Sequence, residues 1–374
     1  MAALAVPAFA DNNVTEGEET KSTETTSLET ASVADATEAT KPTYGINVTD
    51  FASKPKFGAY IIGTYKYSSL EGANGGPGFG VRLVRAYVDG SIFNDFKYRL
   101  QVELNGTPHI KDFYIEWAKY KEFSVKIGQF KRAFTFENPY NPWDVGVGDY
   151  SMTIKKLAGF GDRCGEASTG GRDEGIQFQG DLFPVGADKH RLIHYQLGIY
   201  NGNGINKTDN NATKDIIGTI QVQPIKDLYL GVFGWKGNWN NGTVTVDRNR
   251  YAISGKYEHN NWSARAEYVH SFGYKASSID TATGKPLEGI SDKGLADAFY
   301  ATAGVPVLPW LKIYAKYDTY REYATWDSAQ TVYSICPNFR LHKNLNFQIE
   351  YRFDQVRATG KNYHELWFEY YVRF

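Results

Sequence analysis

Arg82, Arg85, Lys97, Arg99, Lys126, Lys131 and Arg132 concentrate positive charge in one stretch of the chain. Guanidinium and ammonium heads offer several N–H donors and no acceptor. Set along one water-filled wall, they would gather anions through their summed potential. Set beside carboxylates, the same heads would simply be paired. For Arg82 and Arg85 both readings stand, because Arg85 shares a face with Tyr87 and Asp89, opposite Val84, Ala86 and Val88. Lys126, Lys131 and Arg132 stand at the entry to residues 130–171, the longest segment without a strand pattern. It carries Phe134, Phe136, Tyr140 and Trp143, then Lys155, Lys156 and Arg163. A segment that long is functional or disordered, and aromatics within it would anchor it against a wall. The expectation is a constriction with Lys126, Lys131 and Arg132 on one side; a solvated surface loop is the alternative. From Lys131 to Glu166 basic and acidic residues balance at five each, so any selectivity must come from placement.

Other chemistry finds less support. His190 and His194 would stand about 13 Å apart on a strand, too far for one metal. The run Gly72–Gly78 lacks the Gly-Lys-Ser/Thr ending of a phosphate loop. No nucleophile–base arrangement, cofactor motif or basic stripe for nucleic acid is evident. Cys164 falls in the long segment and Cys336 on a strand's inward face. A disulfide would pin the loop to the wall; two free thiols are the simpler reading.

The elements that would position these residues are strands. Aromatics reach 15% while mean hydropathy is −0.46. No window approaches the roughly 18–20 apolar residues of a membrane-spanning helix, and aromatics this dense exclude a wholly disordered chain. Period-two alternation runs through 98–104, 345–353 and 366–374, where Leu366, Phe368, Tyr370, Val372 and Phe374 oppose Trp367, Glu369, Tyr371 and Arg373. Sixteen such runs are expected, at about 57–66, 81–92, 95–105, 109–118, 121–129, 172–183, 189–201, 215–223, 226–237, 248–258, 261–271, 295–304, 309–321, 328–338, 343–353 and 363–374. Turns after even-numbered runs are short, among them Phe93-Asn94, Pro224-Ile225, His259-Asn260 and Val305–Leu308. Every long connection follows an odd-numbered run. Segregating loop length to opposite ends is the mark of an up-and-down membrane barrel, and closure removes the edges that lipid would leave unpaired. The inward set then includes Lys97, Arg99, Lys126, Lys256, Arg265, Lys312, Lys316 and Arg352, nearly balanced by Glu103, Asp112, Glu116, Asp181, Glu267, Asp318 and Glu350.

Three regions follow. Residues 1–10 end in Ala8-Phe9-Ala10, a small-x-small pattern read as the remnant of a cleaved signal peptide. Residues 11–43 hold eight acids against two lysines and no aromatic, and read as a disordered, solvated arm of charge −6. With an overall −1, the remainder carries +5. Residues 44–374 form the barrel domain.

The stretches Val81–Gly90, Asp95–Glu103, Ile110–Trp117, Lys126–Lys131 and Gly171–Gly175 resemble, in order and spacing, the phosphate-selective porin O/P family of Gram-negative outer membranes. Tyr371-Val372-Arg373-Phe374 resembles an outer-membrane insertion signal. The resemblance implies a sixteen-stranded, usually trimeric passive channel in the cell outer membrane. It also implies short periplasmic turns, long extracellular loops, an inward-folded third loop and a preference for anions. The family's arginine ladder and lysine cluster do not align here residue by residue. The expected function is diffusion of small hydrophilic solutes, leaning to anions such as phosphate, in contact with outer-membrane lipid. An outer-membrane hydrolase and a closed adhesin or receptor barrel are the rivals.

Overall fold

The structure, a computed structural model, describes residues 54–70 and 77–374, which belong to the compact unit Asn47–Phe374. The leader-like residues 1–10, the acidic stretch 11–43 and most of the run 72–78 lie outside the described residues. The strands are β1 (Lys56–Ser68), β2 (Gly78–Ile92), β3 (Phe96–Glu103), β4 (His109–Trp117), β5 (Ser124–Lys131), β6 (Arg172–Val185), β7 (His190–Tyr200), β8 (Asp215–Ile225) and β9 (Leu228–Lys236). They continue with β10 (Asn238–Asn240), β11 (Thr245–Asp247), β12 (Asn249–His259), β13 (Trp262–Phe272), β14 (Leu295–Leu308), β15 (Leu311–Arg321), β16 (Ala329–His342), β17 (Leu345–Val356) and β18 (Lys361–Arg373). Strands β10 and β11 pair as a separate ribbon; the other sixteen form a closed antiparallel barrel. The seam joins β1 to β18, from Tyr60 opposite Arg373 to Ser68 opposite Glu365.

Alternation drives the closure. Ile253 is 59% exposed on the outer face while Ala252 and Ser254 beside it are buried. Repeated along strands such as β8, β9, β12 and β17, this makes an apolar outer belt suited to hydrocarbon rather than water. At the short-turn end aromatics cluster, with Trp117 packed edge-on to Tyr120 and Phe123, and Trp310 stacked on Phe339. Asn260 and Asn261 both adopt left-handed φ, 47° and 65°, the backbone of a two-residue hairpin turn.

Three details correct the sequence reading. Pro224 does not sit in a turn: β8 continues through it to Ile225, with a register shift between Val222 and Ile225 that accommodates a residue lacking an N–H donor. The turn expected at Val305–Leu308 is strand as well, with a shift between Pro306 and Leu308. The connection 238–247 holds the ribbon instead of a structureless loop.

The interior departs from simple alternation. Ile217, Phe233, Trp235, Ala252, Val269, Ala296, Ala298, Val332 and Cys336 all face inward and are buried. They pack with Phe134, Phe136, Val145, Val147, Met152, Ile154 and Leu157 of the connection between β5 and β6 in one apolar cluster. That connection occupies one side of the barrel.

Candidate pore constriction

The connection 132–171 starts where β5 and β6 part. Arg132 N donates to Gly171 O at 2.9 Å, and the Asn138 side chain bridges Arg132 O and Gly171 O at 2.9 and 3.2 Å. Gly171 has φ 73°, and a Cβ there would lie 1.8 Å from Asn138 Oδ1, so this root tolerates only glycine. Further in, a short helix, α1 (Met152–Leu157), begins at Ser151, whose Oγ accepts from Ile154 N. Glu137 secures that start by accepting from Ser151 N and Oγ at 3.0 and 2.6 Å.

Carboxylates on the wall hold the loop by its backbone. Glu267 accepts from Phe136 N and Glu137 N at 2.7 and 2.8 Å, Asp318 from Met152 N at 2.8 Å, and Glu350 from Gly148 N at 2.8 Å. Cations complete the attachment: Arg265 donates to Val145 O at 2.6 Å, Arg250 to Leu157 O at 2.7 Å, and Arg82 to Gly148 O and Asp149. Phe134 and Phe136 sit edge-on against Trp235 and Phe233 at 5.3 and 5.4 Å. A loop fixed by both apolar packing and charge-assisted hydrogen bonds is structural, not a flap.

Openings remain on both sides of this loop: two, of about 240 and 220 Å³, lie between residues 143–146 and strands β12 to β17, and one lies between the loop and strands β1 to β7. This last cavity, of about 220 Å³, has Tyr60, Arg85, Arg99, Gln101, Asp112, Tyr114, Lys126, Lys131, Arg172, Gln177 and Gln196 on the strand side, and Ala133 with Pro139–Pro142 on the loop side. Its cations are held in place. Arg85 forks onto Glu103 at 2.6 and 2.8 Å and donates to Tyr60 OH at 2.9 Å. Arg99 forks onto Asp89 at 2.7 and 2.8 Å, Arg172 onto Asp112 at 2.8 and 2.9 Å, and Lys126 lies 3.6 Å from Glu116. Lys131 differs: its Nζ donates to Asn138 O and Tyr140 O, both at 2.6 Å, and to Tyr150 OH at 3.1 Å. Its ammonium charge is thus met by dipoles, with no carboxylate.

The residues singled out in the sequence separate into three places. Arg85, Arg99, Lys126 and Lys131 meet at the cavity. Arg132 also lines it, but its guanidinium is fully buried, bound to Glu166 at 2.9 Å and Asp173 at 2.7 Å and resting 5.0 Å from the Trp235 ring. Arg82 lies apart, between Asp149 and Glu369, and Lys97 is exposed beside the short turn at 93–95. Cys164 and Cys336 are both free and belong to different apolar clusters, so no bridge ties loop to wall. His190 and His194 each face an aspartate, Asp188 at 2.7 Å and Asp181 at 2.6 Å.

Arg172 and Lys111 were missed, since strict alternation sends both outward, as it does Arg82. A bulge between Gln101 and Val102 turns Lys111 inward to Glu103 at 3.6 Å. Another, between Ile62 and Gly63, re-aims Arg82. Gly170 and Gly171, both with positive φ, do the same for Arg172. A cation out of phase with its strand, beside glycine or at a shift of register, is the signal.

Within the loop, burial opposes ionisation of Asp149, yet Lys155 and Arg82 outweigh it and hold the carboxyl well below the usual range. Burial is likewise overcome at Asp162 by the Arg250 fork, and at Glu166 by Arg132 and Arg248. Asp144 goes the other way, pushed up by burial. Among the described residues no group of His, Cys, Asp and Glu could hold a metal ion.

Residues 63–228 match the family model of the phosphate-selective porins O and P. No curated protein matches the chain. Among solved structures, an anion-selective porin from Comamonas acidovorans is 14% identical with a TM-score of 0.64, covering 86% of this chain and 100% of its own. The outer-membrane channel DcaP of Acinetobacter baumannii is 12% identical with a TM-score of 0.60, covering 88% and 99%. The trimer form of OmpT, an outer membrane protein of Vibrio cholerae, is 14% identical with a TM-score of 0.58, covering 87% and 100%. The family resemblance therefore holds over the matched stretch, and the fold is that of porins.

Proposed function

We propose that this chain, matched over residues 63–228 to the phosphate-selective porin O and P family, is a passive outer-membrane porin with a preference for small anions. One observation carries the reading. The cavity wall presents Arg85, Arg99, Lys126, Lys131 and Arg172, and among its described lining residues Asp112 is the single acid. The carboxylates that fix the other cations, Asp89, Glu103 and Glu116, are not among the lining residues. Although charges nearly balance overall, a solute in the cavity meets mostly donors, and a narrow low-dielectric passage magnifies that placement. Transport needs no covalent step. Inorganic phosphate and small organic anions fit the donor set, because guanidinium forks suit phosphate and carboxylate alike. Residues 1–10 serve as an export signal, and the barrel assembles as a homotrimer in the outer membrane.

The test is reconstitution of purified protein in planar bilayers. Stable open steps, with permeability falling as solute size rises, are the expected result. A silent barrel would sink the proposal, and turnover of a lipid or peptide substrate would replace it with the enzyme reading.

A further inference from the structure

On the outer face of the barrel two neighbouring rows carry almost no side-chain bulk. Gly255, Ala266 and Ala301 stand opposite one another in one row, and Ala264, Ala303 and Ala315 in the next. Together they floor a groove of about 890 Å³, framed by Tyr317, Tyr333 and Phe353. Around it the same face is bulky, with Ile253 and Phe299 in the adjoining row. Five inter-strand spacings of about 4.8 Å separate β12 from β17, so the groove runs about 24 Å across the strands. That is a channel for an extended hydrocarbon chain, held by many small dispersion contacts.

Toward the long-loop end, on the same face, the chemistry changes. Arg321 lies four residues along β15 from Tyr317, about 13 Å. The guanidiniums of Arg321 and Arg357 rest 4.8 and 5.0 Å from the ring of Trp326, which is 50% exposed. Arg321 is forked onto Asp297, which fixes its position. Arg357 is exposed and contacts the Trp326 ring, with no carboxylate among the described residues. An apolar trough with a cationic, aromatic head about one leaflet segment away matches an amphiphile, and the Arg357 guanidinium, the one of the two left without a carboxylate among the described residues, favours an anionic headgroup over a zwitterion.

We propose that the alanine-floored groove and the Arg321–Trp326–Arg357 cluster form a binding site for one anionic phospholipid with a terminal phosphate. Its acyl chain lies along the floor and its phosphate sits on Arg357. The site requires that the barrel span a membrane, but does not depend on which ions the pore prefers.

Native mass spectrometry of the full chain in neutral detergent tests this, with phosphatidic acid and phosphatidylcholine of equal chain length as probes. One phosphatidic acid should bind per chain, at least about tenfold more tightly than phosphatidylcholine. Arg357→Gln and Trp326→Ala should each weaken it by about tenfold through the head, and Ala303→Phe by a similar factor through the floor. Inorganic phosphate should not displace the lipid, and bilayer conductance of the Ala303→Phe variant should match wild type. Equal binding of the two lipids, indifference to Ala303→Phe, or full displacement by inorganic phosphate would each overturn the site. So would a change of oligomeric state in Ala303→Phe, because the groove would then be an interface between copies.

Discussion

Lys131 and Arg132 are chain neighbours with different surroundings. Arg132 sits among Glu166, Asp173 and the Trp235 ring with no exposed surface, whereas Lys131 borders the open cavity and is met by carbonyls. Their substitutions should separate accordingly. Arg132→Gln leaves the buried Asp173 without its cation and Glu166 with Arg248 alone, and is expected to cost about 3–5 kcal/mol, read as a fall in unfolding midpoint in detergent. Arg99→Glu or Lys126→Glu sets a second carboxylate beside Asp89 or Glu116, but should lower that midpoint less than Arg132→Gln, because these partners are partly exposed, and should chiefly shift ion preference. If Arg132→Gln is as stable as wild type, the buried network does not hold the loop root. Much of this was legible in advance: alternation puts Arg99 and Lys126 inside. The fates of Arg82 and Lys111 were not, because one extra residue in a strand reverses every side-chain direction locally and no periodicity announces it; Arg172 follows two glycines of positive φ, which alternation does not register either.

At the scale of elements, the loop 132–171 fills part of the interior and borders its cavities. Its long, aromatic-rich sequence signalled a packed segment. What it packs against was hidden, because Val269, Ala298 and Val332 are small apolar residues at inward positions that otherwise read as breaks in a polar face. The Glu267 clamp makes the attachment testable. Glu267→Gln preserves shape but removes the charge from bonds to Phe136 N and Glu137 N, and should weaken the loop by about 1.5–3 kcal/mol. Conductance should become larger and noisier; an unchanged trace would mean the apolar packing suffices. Acid acts on the same element. The depressed carboxyls of Asp149, Asp162 and Glu166 lend stability that is complete above their unfolded values, near pH 4. It is lost only as pH falls further, through the folded values. Asp144, whose carboxyl is raised, opposes this weakly, since its protonation on acidification favours the docked loop. Hydrogen exchange of peptides from 132–171 should therefore stay slow from pH 8 to about 5 after correction for intrinsic rates, and quicken below about 4. Quickening already between 8 and 6 would contradict that assignment.

Over its described residues the unit Asn47–Phe374 is a sheet closed on itself, apolar outside, with part of its interior filled by the connection 132–171. Strand number and the segregation of long and short connections were readable because closure demands both. The turns at 226–227 and 309–310 were misplaced because prolines beside them sit in strand irregularities. Ile220 faces outward and is 55% exposed, while Gln221 faces the lumen. Ile220→Arg should lower stability in lipid vesicles by about 2–4 kcal/mol, whereas Gln221→Arg should leave it near wild type. Equal effects would mean that the outer face does not meet lipid. The basic wall of the constriction is most directly tested by the zero-current potential of single channels in a steep KCl gradient. A value on the chloride side is expected, moving to the potassium side when Arg99 and Lys126 are both replaced by glutamate. A potassium-side value in the wild type, or one unmoved by the double replacement, would contradict a pore whose selectivity is set by that wall.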